Sequence, residues 1–142
     1  MYLQSYLRIV IILVILMLAA CGKSKTHFHD LSTPSNALKT VFSAIQEDDP
    51  ERFRKILSAQ TLHMLETESQ RTGKSSKSIL QEYLSRRQDE DISEISETKE
   101  ERIDDSLMEV HYRSNSSWKK IRFLKENNEW KMDGFGQPMK PA

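Results

Sequence analysis

The chain has 142 residues, 30% of them charged, with 21 bases balancing 21 acids. One domain's worth of sequence with no net charge excludes a nucleic-acid binder held by bulk electrostatics. Four Gly and four Pro exclude collagen-like and low-complexity classes, and a single Cys excludes an intrachain disulfide framework and a Cys-based zinc site.

The first element in chain order is an apolar run, Ile9 to Ala20, with no charge and no strongly polar side chain. At about 12 residues it falls short of the roughly 20 that cross a bilayer core. Arg8 and the N-terminal amine precede it, which is the layout of a secretory signal peptide over residues 1–20. A buried core helix is a poor reading, because a helix apolar all round has no face to show water. The competitor is a retained membrane anchor, drawn as a marginal span from Leu3.

The run ends Leu18-Ala19-Ala20-Cys21-Gly22. This resembles the lipobox of bacterial lipoproteins. The resemblance implies cleavage between Ala20 and Cys21, a diacylglycerol on the Cys21 sulfur, and an acyl chain such as palmitate on the freed amine. It also implies a lipid-anchored protein of the cell envelope. Gly22 rather than Asp after the Cys points to the outer membrane where the source has two. Each buried lipid CH₂ contributes about 0.8 kcal/mol, so two or three chains give stable attachment where one would not. Loss of residues 1–20 removes one base, Arg8, and leaves a net charge of −1.

Residues 21–32 read as the lipidated Cys and a flexible tether. Eleven such residues reach roughly 17–20 Å. Lys23 and Lys25 would meet anionic head groups at about 1 kcal/mol each. His27-Phe28-His29-Asp30 has a metal-like spacing, but a flexible tether lacks the rigid second layer that a metal site needs. No metal ligands and no cofactor are assigned.

Residues 33–135 read as the folded domain and 136–142 as a C-terminal tail. Thr33-Pro34 is an N-cap followed by N1. Ala37, Leu38, Val41, Phe42 and Ile45 then make one apolar stripe over 34–47. Asp48-Asp49-Pro50 stops that helix and repeats the cap signal, with Phe53, Ile56 and Leu57 as the next apolar face. A third helix is expected from Gln60 to Arg71, with Leu62, Met64 and Leu65 inward and Gly73 at its C-terminus. Ser75 or Ser76 caps a fourth, lined by Ile79, Leu80, Tyr83 and Leu84.

After Gln88 the period changes to two. Residues 92–103 suggest a largely exposed strand. Leu107–Arg113, Trp118–Lys125 and Trp130–Gly134 alternate, with turns at Asp104-Asp105, Ser114-Asn115-Ser116 and Glu126-Asn127-Asn128-Glu129. Met108, Val110, Tyr112, Ile121, Phe123, Trp130 and Met132 share the inner face. Short turns mean antiparallel hairpins, and helices followed by strands mean an α+β domain with helices packed on one face of a curved meander.

The pattern from Thr33-Pro34 through Asp49-Pro50 to Leu57-Ser58, with the closing Glu129-Trp130-Lys131-Met132-Asp133-Gly134, resembles small lipoproteins of the nuclear-transport-factor-2-like superfamily. That resemblance implies a cystatin-like cone, in which many members hold small apolar molecules and others have no assigned activity. The candidate pocket or core residues are Tyr83, Tyr112, Phe123, Trp130 and Met132.

No constellation carries chemistry. The inner face holds no acid or base, His111 alternates outward, and His63 lies on a helix flank. Gly73-Lys74-Ser75 lacks the first Gly of a phosphate loop, since that position is Glu68. Asp89–Glu109 holds ten acids and two bases, and Val110–Lys131 six bases and two acids. A cation-binding or polycation-docking face is one reading of this division, and cross-strand pairing between adjacent strands is the simpler one. Lys119, Lys120 and Arg122 are expected at solvent-facing or strand-end positions, as a recognition patch tolerant of charge reversal. Tyr112 and Trp118 fall on opposite faces, which argues against a stacking platform for single-stranded nucleic acid. The sequence therefore favours a non-catalytic domain binding an envelope protein or a small apolar ligand. The alternative is a small enzyme acting on an apolar substrate in the cone.

Overall fold

The computed structural model describes residues 28–88, 95, 97–114 and 116–135. The expected signal peptide, Leu18, Ala19, Ala20, Cys21, most of the tether and the tail 136–142 lie outside the described residues.

Helix α1 spans Pro34–Gln46, α2 Pro50–Ile56, α3 Ala59–Thr72 and α4 Ser76–Gln88. Each start has a local cause. The Thr33 hydroxyl accepts from the Asn36 N–H, and Asp49 from the Arg52 N–H, with Pro at the next position both times. Ser58 accepts from the Thr61 N–H. Ser75, not Ser76, caps α4, accepting from the Ser78 N–H at 3.1 Å. Helix α3 ends at Gly73, which turns left-handed at φ 71° and donates its N–H to the Ser69 carbonyl.

The strands are β1 Thr98–Arg102, β2 Leu107–Ser114, β3 Ser117–Glu126 and β4 Glu129–Asp133. They form one antiparallel meander in the order β1-β2-β3-β4, so the chain is an α+β domain. Asn127 and Asn128 both have positive φ in the β3–β4 turn. Two such residues suit the right-handed twist of the strands they join. The expected strand over 92–103 is shorter than its span: residues 95 and 97 are outside β1, and 92–94 and 96 lie outside the described residues.

Register places Val110 opposite Ile121, Met108 opposite Phe123 and Phe123 opposite Met132. This one face meets the helices. Leu38, Val41, Phe53, Ile56, Leu65, Leu80 and Leu84 from the helical layer are buried with it. Phe42 meets Tyr112 edge-on at 5.1 Å. Each such large side chain stabilises the fold by about 1.5–3 kcal/mol through burial.

Two expectations are corrected. Met64 does not point inward; it is 51% exposed, and Thr61 takes the buried position. Thr61 and Leu65 are four residues apart and share one line of the helix, while Met64 is turned about 100° away. The packed chain also begins before Thr33. Leu31 is 4% exposed and its carbonyl accepts the Trp130 N–H at 2.8 Å. Asp30 is tied to α1 as well, its N–H reaching the Thr40 hydroxyl and its carboxylate the Asn36 side chain.

The two sheet edges differ. Beside β4, Leu57 bridges Met132, and the Ser58 N–H bonds the Met132 carbonyl at 2.9 Å. The Ser58 hydroxyl also bonds Asp133 and Thr61, and Thr61 receives the Gly134 N–H. At the other edge all five residues of β1 are exposed, four of them charged. Charged side chains on an open edge oppose strand addition by another chain. Glu100 of β1 accepts from the Ser35 N–H and Glu126 of β3 from the Ala59 N–H, so the sheet supplies an anion to two helix N-termini.

Candidate functional site

Four of the five candidate pocket or core residues are brought together. Tyr112, Phe123, Trp130 and Met132 lie at 0–9% exposure on the helix-facing side of the sheet, within one hydrophobic cluster. Side chains of α1, α2 and Leu57 occupy the space above them. Phe123 and Met132, fully buried, fill the core.

Tyr83 stands apart. Its ring lies 5.5 Å from Phe53 on one side and 5.3 Å from Phe135 on another, with the Arg87 guanidinium 5.3 Å from its centre. It lines a groove of about 390 Å³ on the helical side of the domain. Leu65, Ile79, Tyr83 and Phe135 give this groove an apolar floor, and Met64 extends it outward. Glu68, Lys74, Glu82 and Arg86 form the rim. Lys74 pairs with Glu82 at 2.6 Å, which holds the Glu82 carboxyl below its ordinary range. The rim is thus internally neutralised and steers neither anion nor cation.

The outer face of the sheet carries a constellation that the strand pattern alone did not reveal. Glu109 of β2 points away from the helices, yet it is only 6% exposed. Lys120 Nζ lies 3.0 and 3.1 Å from its two oxygens, and Arg122 Nη2 lies 3.3 Å from Oε1. Burial pushes the Glu109 carboxyl up, but these two cations hold it below the usual carboxylate range. Two residues along, His111 Nε2 stands 3.2 Å from Glu101 Oε2 and 3.6 Å from Glu109 Oε2. The atom is buried and makes no hydrogen bond. Glu101 reaches it from β1, where it is the direct cross-strand partner of Glu109.

This overturns the reading of Lys120 and Arg122 as a free recognition patch. Both bases face outward, as the alternation requires, but both are committed to a buried carboxylate. Charge reversal there would set acids against Glu109. The pairing is an instance of the cross-strand account, made at Glu109 between β2 and β3. Tyr112 and Trp118 do fall on opposite faces, Tyr112 buried and Trp118 44% exposed. His63 is exposed on α3, as a helix-flank residue should be.

A second buried charge lies between α1 and α2. Arg52 Nη1 pairs with Glu47 at 2.7 Å and reaches the Ser43 hydroxyl at 3.1 Å. Its Nε and Nη2 are buried without a hydrogen-bond partner. Arg52 and Glu47 are five positions apart across a helix break, so neither helical period marks them as a pair. No helix among the described residues is long and apolar enough to cross a membrane. No family model, curated protein or solved structure matches the chain.

Proposed function

We propose that the chain is a lipid-anchored lipoprotein of a bacterial cell envelope whose α+β domain works by binding rather than by catalysis. The observation that carries this reading is Leu18-Ala19-Ala20-Cys21 closing an uncharged apolar run, with the chain's only cysteine at the acylated position. The helix-facing side of the sheet supports the second half. On β2, β3 and β4 that side presents Val110, Tyr112, Ile121, Phe123, Trp130 and Met132, apolar and packed, whereas acid–base or nucleophilic chemistry needs a titratable group held against substrate. The helices on one face of a meander accord with a nuclear-transport-factor-2-like domain, a reading in which the apolar cluster would fill the cone. Contacts with an envelope partner or a small apolar ligand then fall to the surface, where the groove beside Tyr83 offers an apolar floor.

Expression in a bacterial host with Cys21→Ser tests the anchor. The wild type should fractionate with membranes as a processed chain, and the variant should be an uncleaved precursor or soluble. A Cys21→Ser variant that is still processed and still membrane-bound with unchanged mobility contradicts the proposal.

A further inference from the structure

We propose that Glu101, Glu109 and His111 form a three-ligand site for a divalent transition-metal ion of the zinc class, on the outer face of the β1–β2 ladder. One ligand atom from each residue converges within 4.8 Å of the other two. Zinc bonds to nitrogen and oxygen are about 2.0–2.1 Å, so neighbouring donors around a tetrahedral ion stand about 3.3–3.4 Å apart. The distances from His111 Nε2 to the two carboxylates, 3.2 and 3.6 Å, bracket that value.

The imidazole nitrogen is the observation that separates this cluster from a group of surface acids. At 3.2 Å from an oxygen, an N–H aimed at it would make a hydrogen bond. Nε2 makes none, although it stands within ion-pair distance of both carboxylates, and the atom itself is buried on a side chain 24% exposed. A buried polar atom left unpaired costs free energy, and buried polar groups in folded proteins are nearly always paired. A lone pair directed at an ion shared with the two carboxylates removes that cost.

Register supplies a second argument. Glu101 and Glu109 are directly opposite on neighbouring strands. Like charges in that position are destabilising; Lys120 and Arg122 offset this from the Glu109 side only, and a cation between the two carboxylates would offset it from both. Glu109 is also oriented as metal-bound carboxylates are, by partners of its own. Lys120 and Arg122 both bond its Oε1, and Lys120 also reaches Oε2, the oxygen nearer His111. These two bases balance the carboxylates, which limits affinity and makes this a site for a tightly ligating ion. One imidazole with two carboxylates favours zinc, cobalt or nickel over calcium or magnesium, which take all-oxygen shells. A bound ion would clamp the open edge strand β1 to β2.

Zinc chloride titrated into the full-length chain by calorimetry tests this, with circular dichroism confirming that each variant is folded. The wild type should bind one equivalent at this site. Glu101→Gln, at a side chain 55% exposed, and His111→Ala should each weaken that binding at least tenfold. The double variant His27→Ala/His29→Ala, which removes both tether imidazoles, should keep it. Zinc should also slow amide hydrogen exchange in Thr98–Arg102. The proposal is overturned if the wild type takes up no zinc. It is equally overturned if Glu101→Gln and His111→Ala bind as the wild type does, or if only the tether variant loses binding.

Discussion

Glu109 shows how a single side chain sets the chemistry of the outer face. Its carboxyl is held below its ordinary range in the fold, so it binds protons less readily folded than unfolded. The stability it contributes is therefore present above its unfolded pKa and is lost as pH falls through the folded one. Urea midpoints measured from neutral to acidic pH should fall less steeply for Glu109→Gln than for the wild type. Removing its partners acts at neutral pH. Lys120→Glu together with Arg122→Glu should destabilise the domain by about 1–3 kcal/mol, below the range for a fully buried pair because both bases are part exposed. Chemical denaturation of the purified domain measures this, and an unchanged midpoint would return both residues to the role of a free patch. Alternation marked Glu109 correctly as outward-facing. Its burial was not legible, because Lys120 and Arg122 reach it from the next strand and Glu101 faces it from the strand before. The same holds for Glu101 and His111, which only the β1–β2 register brings together.

At the scale of the element, the helices were readable because their signals are local. Thr33-Pro34, Asp49-Pro50, Ser58 and Gly73 each act within four residues of themselves. Thr33→Ala and Asp49→Ala should each cost about 1 kcal/mol, read from thermal melts. Gly73 makes a sharper test. A Cβ built there meets nothing within 4 Å, so any cost of Gly73→Ala is conformational and not steric. With φ at +71°, that cost should be about 1 kcal/mol, and Gly73→Asn should cost less. The weakest element to read was β1. Its five residues are exposed and show no alternation, since the strand is defined by pairing with β2 and by the bond from Ser35 to Glu100. Met64 was misplaced for a related reason. Apolar character suggested an inward side chain, but the helix phase set by Leu65 gave that place to Thr61.

At the scale of the whole molecule, one core joins the two layers, and Leu31 ties the segment before α1 to the start of β4. Phe123 is fully buried and paired with both Met108 and Met132, whereas Trp130 is 9% exposed beside the edge, with Lys125 5.7 Å from its ring. Both truncations fall in the range of about 3–5 kcal/mol, with Phe123→Ala at the upper end and Trp130→Ala below it. A Trp130→Ala domain less stable than Phe123→Ala would place the centre of the core at the wrong end of the sheet. The α+β class followed from the switch of period after Gln88. The closing of the β4 edge by Leu31, Leu57 and Ser58 did not, because those contacts join residues about 75–100 positions apart.

The account rests on what happens at Cys21. Intact-mass spectrometry of the full-length gene product, purified from the membrane fraction of a bacterial host, reads this in one spectrum. The expected species begins at Cys21, lacks residues 1–20, and carries the added mass of a diacylglyceryl group with or without a further acyl chain. A chain that retains Met1–Ala20 with an unmodified Cys21 thiol would contradict it.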